Sequence, residues 1–417
     1  MKSYFRKDCR LCKSKKIEKV LHLEPTPAAD SYLRKDQLNI NQELIPLDLF
    51  LCSDCGHTQL GHVIDAEEVY LNYIYESEST LGLGDHFRKA AEDIFKKFEP
   101  NLGGLVLDIG SNDGILLSHF QKLGMKVLGV DPMPGIAEKA SAKGIPTIGK
   151  FFNDEVANDI KKLHGIPSII CSNNLVADTD DLDSFVNSVK ILMDKNTIFF
   201  FETFYFYLQI KNNVWDFTYH EHYSYFTIRP LIQYFHKNNL ELIDVEPNLT
   251  KGGSMRCVVQ LKGGNRKISD SVHTFLKLEE IEGFQTKEIF EKYDYKIQKG
   301  KSEYKFLMDK LKKDKYKIAA YGASATSTTL IYNYEMQNDF NFIVDDFKAK
   351  QGLFCPGTKI PVYDAQKIYE EKPDYVVILA WRYWKKIVDK NKDFLSSGGK
   401  FIIPLPELKI ISKEDIV

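Results

Sequence analysis

Three groups of residues in this chain can do chemistry. The first is the run Leu107-Asp108-Ile109-Gly110-Ser111-Asn112-Asp113-Gly114. Glycines at Gly110 and Gly114 let the backbone approach a ligand, and a following helix would bring its N-terminus close. Asp131 stands twenty-three residues beyond Asp108, where a carboxylate can accept both hydrogen bonds of a ribose diol. This fits a dinucleotide or S-adenosylmethionine. The G-x-G-x-x-G spacing used for pyrophosphate is absent, and an opening acid suits an ammonium better than a diphosphate, which favours S-adenosylmethionine. A purely structural turn is the bland alternative.

The second group is Tyr219-His220-Glu221-His222-Tyr223-Ser224-Tyr225-Phe226, with two imidazoles, a carboxylate and three phenols. Histidine titrates near neutrality and a neighbouring carboxylate can orient it, so general acid–base work suits the run. Metal binding by His220 and His222 competes with this, but side chains two apart diverge on a helix and H-E-x-x-H is absent. A satisfied polar turn remains the alternative. The third group is two cysteine pairs, Cys9-x-x-Cys12 and Cys52-x-x-Cys55, separated by a roughly forty-residue insertion. Each tight turn can present two thiolates to one tetrahedral ion, so a structural zinc with all four positions filled is expected. A pair of redox motifs would want a thioredoxin-like βαβ pattern beside it, and none is visible.

The elements that position these groups are legible in outline. Helical spacing of Phe87, Ala90, Ala91, Ile94, Phe95 and Phe98 marks a helix within 67–103. Strands are expected at 104–109, 126–130, 168–172, 197–202 and 240–246, with a helix at 115–123. Strands alternating with helices signal a parallel, doubly wound sheet. A charged, largely helical stretch at 268–312 reads as a connector or lid. After it come strands at 316–321, 340–344, 375–379 and 401–404, with the turn Gly322-Ala323-Ser324-Ala325 and a helix at 326–333. The expected fold is therefore α/β: a zinc-binding module over 1–66, a Rossmann-like domain over 67–247, and a C-terminal Rossmann-like domain with its connector over 248–417. The C-terminal turn can hold a diphosphate at its helix N-terminus or be plain tight packing. Asp345 and Asp346 could meet a nucleotide or face water. The aromatic run Phe204–Tyr207 reads more readily as core edge than as pocket wall.

The chain has 417 residues, enough for two or three domains, and its 43% hydrophobic content excludes a mainly disordered protein. A net charge of −2 gives no global field towards nucleic acid or an anionic membrane. The N-terminus lacks an apolar signal region and the apolar runs are strand-length, so a cytoplasmic protein is expected. Of seven cysteines, Cys171, Cys257 and Cys355 fall outside the pairs and read as small buried hydrophobes.

The order of the cysteine pairs, LDIGSNDG (107–114), VDP (130–132), YHEHYSYF (219–226), GGSMR (252–256), YGASA (321–325) and VDDFKAKQGLFCPGTKIPV (344–362) resembles the bacterial nucleotide-deoxysugar C-methyltransferases, of the tetronitrose and kijanose C-3 type. The likeness covers nearly the whole chain. It implies an N-terminal zinc module and a C-terminal Rossmann-like domain flanking a class I S-adenosylmethionine domain, with a nucleotide-activated keto-sugar held between the lobes. A 4-keto group would acidify C3–H, a histidine would remove that proton, and the enolate would attack the sulfonium methyl group. By position His222 matches the base, Tyr219 and Glu221 its supporting residues, and Tyr75 a further active-site tyrosine. The chain is then an enzyme of branched-sugar biosynthesis, a monomer or small homo-oligomer.

Three positions depart from the family pattern. Asp178 stands where a histidine is usual; that histidine could partner an oxyanion, which an aspartate does only when protonated. Tyr321–Ser327 lacks a lysine that could contact phosphate. Arg382 follows Trp381 in place of asparagine and, with Gly322, Ala323 and Ser324, could supply substrate contacts; a plain surface arginine is the alternative. A sugar-nucleotide epimerase or isomerase would keep the base without methyl transfer, and a non-catalytic binding protein would keep neither. The intact Asp108–Gly114 loop argues against the first, and the set Tyr219, Glu221 and His222 against the second.

Overall fold

The computed structural model describes residues 3–65 and 82–416, so the expected site residue Tyr75 lies outside the described residues. The N-terminal module contains strands β1 (Ser3–Phe5), β2 (Ile17–Leu21), β3 (Leu49–Cys52), β4 (Thr58–Leu60) and β5 (His62–Ile64). Its cysteine pairs sit in two matching turns. Lys13 N–H donates to the Cys9 carbonyl at 3.0 Å and Gly56 N–H to the Cys52 carbonyl at 2.8 Å. Both closing residues have positive φ, 65° and 78°, which glycine adopts freely and lysine at a cost.

The central domain is built on β6 (Leu105–Ile109), β7 (Lys126–Val130), β8 (Thr147–Ile148), β9 (Ile169–Asn173) and β10 (Ile198–Phe204), all mutually parallel. A two-residue strand β11 (Ser224–Tyr225) leaves this domain, and β12 (Leu240–Asn248) and β13 (Ser254–Leu261) complete it. The sheet order is β12-β13-β10-β9-β6-β7-β8, with β13 antiparallel to both neighbours. Every residue of β6 and β10 is buried, as both-face coverage by helices requires. One covering helix, Leu83–Phe98, buries Leu83, Phe87, Ala90, Ala91 and Ile94. The strand order reverses between β6 and β9, and a ligand crevice forms outside the carboxyl ends of strands at such a point. The expected boundary at 247 falls inside the β12–β13 hairpin; β13, which sequence reading did not mark, belongs to the central sheet.

The charged stretch after β13 forms two helices, Asp270–Glu282 and Lys287–Lys313. The second buries Phe290, Tyr293, Ile297, Tyr304, Met308 and Leu311, one apolar stripe at helical spacing. Fully buried Glu279 in the first accepts the Tyr205 hydroxyl at 2.6 Å and Ile228 N–H at 2.8 Å. It thereby caps the helix Ile228–Lys237, whose own N-cap makes no side-chain bond. These helices are a packed connector, and Tyr205 of the aromatic run is core. The C-terminal lobe is a second sheet of β14 (Ile318–Tyr321), β15 (Ile343–Val344), β16 (Val362–Tyr363), β17 (Tyr375–Ile378), β18 (Lys400–Ile403) and β19 (Lys409–Ile411). Its order is β16-β15-β14-β17-β18-β19, parallel except for β19. The fold is α/β, with a four-cysteine module and two doubly wound sheets. No helix of the described residues is long and apolar enough to cross a membrane. Cys171, Cys257 and Cys355 are buried.

Candidate active site

The four thiols of Cys9, Cys12, Cys52 and Cys55 converge, with all Sγ atoms within 4.8 Å of one another. Cys9 and Cys55 lie 3.6 Å apart and Cys12 and Cys52 3.5 Å, well beyond a disulfide bond of about 2.05 Å. Thiolates at about 2.3 Å from a tetrahedral zinc are about 3.8 Å apart, so the donor set fits that ion. The consequence reaches the active site. The β3–β4 hairpin carries Cys52 and Cys55, and β4 pairs antiparallel with β11, Gln59 against Ser224 and Thr58 against Tyr225. The Leu60 N–H donates to the Tyr223 carbonyl at 2.9 Å, and the Tyr223 hydroxyl to the Ile64 carbonyl at 2.7 Å. The zinc module thus fixes the chain beside His222.

A cavity of about 1060 Å³ opens at the reversal of the central sheet. It is walled by the β6 loop, by Asp131 and Met133 after β7, by Asn174, Leu175 and Asp178 after β9, by Tyr4 and Ile64 of the zinc module, and by Tyr219, Glu221, His222 and Lys251. Three consecutive alternate positions of the β6 loop, Gly110, Asn112 and Gly114, have φ of 77°, 47° and 78°. A Cβ at Gly114 would lie 2.9 Å from Ile145, so this position admits no side chain. Asp108 at the strand end is 3% exposed, and its Oδ1 has no hydrogen-bond partner. Burial raises its pKa to about 7. A buried carboxylate oxygen left open beside the cavity fits the ammonium of S-adenosylmethionine. Asp131 accepts Asn112 N–H at 2.9 Å and Met133 N–H at 3.0 Å, which orients its carboxylate and leaves one lone pair on each oxygen for a diol.

His222 is 7% exposed. Its Nδ1 lies 2.9 Å from the Phe217 carbonyl; a carbonyl only accepts, so Nδ1 carries the proton and Nε2 keeps its lone pair. Nε2 is 3.9 Å from Asp178 Oδ1. The imidazole packs among Tyr219, Phe204 and Phe217, ring centroids 4.0, 4.6 and 4.8 Å away. Desolvation lowers its pKa to about 3, so it is neutral near pH 7. Asp178 goes the other way: desolvation first, then Glu221, raises it well above the usual carboxylate range. Its protonated form is the one the departure from histidine requires. Glu221 is raised to about 8, by desolvation and then by Asp30, against Lys350. His220 instead donates its Nε2–H to the Ile45 carbonyl at 3.0 Å, and this ring anchors the turn.

The four C-terminal candidates do not line the cavity. At Gly322, φ 105°, a Cβ would fall 2.5 Å from the Ala380 side chain, so glycine is needed there for close packing of the β14 and β17 ends. Ala323 N–H donates to Asp345 Oδ2 at 2.6 Å, and Phe347 N–H to Asp345 Oδ1 at 2.7 Å, the same clasp that Asp131 makes in the central domain. Ser324 caps the helix Ala325–Asn333. Arg382 binds both oxygens of fully buried Asp216 at 2.9 and 3.0 Å and the Thr326 hydroxyl at 2.8 Å. Its charge is already matched. Sequence reading missed Lys251, which enters the cavity wall from the loop between β12 and β13; its only signal was its place beside Gly252 and Gly253.

Three family models match successive parts of the chain: "Putative zinc binding domain" over residues 9–70, "Methyltransferase domain" over 84–245, and "C-methyltransferase C-terminal domain" over 249–406. The C-methyltransferase NovU of Streptomyces niveus is 29% identical over 408 residues, 98% of this chain and 97% of that protein. Among solved structures, an S-adenosylmethionine-dependent methyltransferase from Clostridium acetobutylicum ATCC 824 is 14% identical and covers 47% of this chain and 96% of its own, at a TM-score of 0.34. The CurJ carbon methyltransferase is 13% identical over 42% of this chain and 54% of its own, also at 0.34. At those scores the structural likeness carries no argument. The family models follow one another in the order of the cysteine cluster, the central crevice and the C-terminal sheet, and together with NovU they make the chain similar to C-methyltransferases over nearly its whole length.

Proposed function

We propose that this S-adenosylmethionine-dependent C-methyltransferase acts on a nucleotide-activated 4-keto-deoxysugar and methylates the carbon next to the ketone. The observation that carries the reading is the fixed tautomer of His222, whose basic Nε2 faces the cavity that Asp108 and Asp131 also line. Bound S-adenosylmethionine supplies an electrophilic methyl group. This chain's residues do the rest. The Phe217 carbonyl holds the His222 Nδ1 proton, so that Nε2 takes the C3 proton and the electron pair moves into an enolate. A neutral Asp178 donates its proton in a hydrogen bond as negative charge grows on oxygen. Tyr219 packs against the imidazole at a tilt of 39° and limits its rotation. Asp108 and Asp131 hold the amino acid and ribose ends of the methyl donor, which sets the reacting carbon and methyl in line.

The test is incubation of nucleotide-4-keto-6-deoxyhexoses with methyl-deuterated S-adenosylmethionine, followed by mass spectrometry and carbon NMR of the sugar. Labelled methyl on the carbon beside the ketone supports the reading. Label on oxygen or nitrogen, or none with any such sugar, contradicts it.

A further inference from the structure

The mechanism above gives no part to Lys251, which also lines the cavity. Lys251 lies in the short segment between β12 and β13, with a backbone φ of 53° and ψ of 23°. A residue with a Cβ pays for that left-handed conformation, and such strain collects where a side chain has a task. The segment is pinned on both sides of it. Thr250 Oγ1 donates to Glu202 Oε1 at 3.3 Å, and Ser254 Oγ to the Thr250 carbonyl at 3.0 Å. Glu202 is itself fixed by His86 at 2.6 Å and Arg256 at 3.4 Å. Gly253 can take no side chain, since a Cβ would sit 2.5 Å from Leu208. The result is a rigid perch that presents Lys251 to the cavity wall that also holds Asp178, Tyr219 and His222.

The ammonium makes no hydrogen bond or ion pair with any described residue, whereas Arg256, Arg382 and Lys350 each bind a carboxylate. Of the charges around it Asp178 favours its ammonium form most, and His222 feels Lys251 in turn. Burial lowers its pKa, which adds to the value of an anionic partner. An open cation beside a base and a neutral carboxylic acid matches what an enolate oxygen needs.

We propose that Lys251 binds the substrate's keto oxygen and, with Asp178, carries the charge that appears there when His222 removes the neighbouring proton. The inference rests on the keto-sugar reading above. As the C3–H bond breaks, its electron pair forms the C3–C4 double bond and the carbonyl pair moves onto O4, where Lys251 and Asp178 donate two hydrogen bonds. The proton resides on His222; the O4 pair then reforms the carbonyl, the C3–C4 π pair bonds the methyl carbon, and the S–CH3 bond breaks with its pair left on sulfur, releasing S-adenosylhomocysteine. Removing one such donor lowers kcat by about 10²–10³-fold in comparable sites.

The experiment compares wild type, Lys251→Met and Lys251→Arg in the full-length holoprotein. It reads methyl transfer, wash-in of solvent deuterium at the enolisable carbon, and the Kd of S-adenosylmethionine. The expected result is loss of both methyl transfer and wash-in by about 10²-fold or more in K251M, with an unchanged cofactor Kd and partial recovery in K251R. Wash-in and methyl transfer in K251M within about threefold of wild type would overturn the assignment while leaving the keto-sugar reading intact. So would an equal loss of cofactor binding in both variants, which marks a structural role. A borohydride-trapped adduct on Lys251 would replace the hydrogen bond with an imine and overturn it too. Failure of wild type itself to exchange or methylate any keto-sugar removes the substrate reading and this inference with it.

Discussion

At the scale of single residues, burial sets opposite protonation states on neighbouring groups. His222 is held neutral, and Asp178, Glu221 and Asp108 are pushed towards their neutral acids. For Asp108 the linkage can be worked through. Its pKa is raised to about 7 without ligand, and a bound ammonium stabilises the carboxylate and lowers it. Binding of S-adenosylmethionine below pH 7 should therefore release a proton, and affinity should fall by up to about tenfold per pH unit of acidification. Calorimetry in buffers of different ionisation enthalpy checks this, and Asp108→Asn should bind weakly without the proton release. Glu221 gives a second sign. A carboxyl raised from an unfolded value near 4.5 to about 8 contributes stability that is lost as pH rises across that window. Glu221→Gln should flatten the decline of Tm between pH 5 and pH 8; an unchanged slope would mean that Glu221 is ionised in the folded protein. The residue types at this site were legible because YHEH and the DIGSNDG loop concentrate unusual chemistry. The neutral state of Asp178 was not, because it depends on walls brought from distant parts of the chain.

At the scale of elements, the zinc module acts on the active site through one short pairing. β11 has two residues, and β4 supplies its partner, so the turn that carries His222 inherits the rigidity of the metal-bound hairpin. Chelation of zinc, or Cys52→Ser, should lower methyl transfer at least tenfold while the Asp108–Gly114 crevice still binds S-adenosylmethionine, with Kd shifted by less than about threefold. Equal loss of both would mean that the module supports the whole domain. The cysteine spacing announced the metal, and alternation of strands and helices announced the central sheet. Strand β11 and its link to β4 were hidden, because two residues give no periodicity and the pairing spans more than 150 positions. The charged stretch read as a connector or lid is a packed connector, since the aromatic stripe of the helix Lys287–Lys313 is diluted by lysines on its outer face.

At the scale of the molecule, the zinc module and central domain enclose the cavity, and the C-terminal lobe braces it from behind. Thr329 donates to the Thr218 carbonyl at 2.8 Å, and Trp381 Nε1 and Arg382 both bind Asp216. Thr218 and Asp216 flank Phe217, whose carbonyl fixes the tautomer of His222. Arg382→Gln would leave Asp216 buried without its cation, a change that costs about 3–5 kcal/mol in such pairs. Denaturant unfolding should show that loss, and the acid limb of the pH–rate profile should shift as the Phe217 carbonyl loses its setting. The second Rossmann-like lobe was readable from sequence, yet the fate of its turn was not. Ala380, Asp345 and Asp216 occupy what Gly322, Ala323 and Arg382 could have offered a ligand, and none of them is near in sequence.

The central claim is that His222, through Nε2, removes the proton beside the ketone. It is tested most directly by following solvent deuterium into C3 of a nucleotide-4-keto-6-deoxyhexose, with S-adenosylhomocysteine holding the cofactor site and no methyl group to transfer. Wild type should exchange C3–H, and His222→Asn should lose that exchange by at least about 10²-fold while still binding both ligands. Exchange that persists in His222→Asn would contradict the account and assign the base elsewhere.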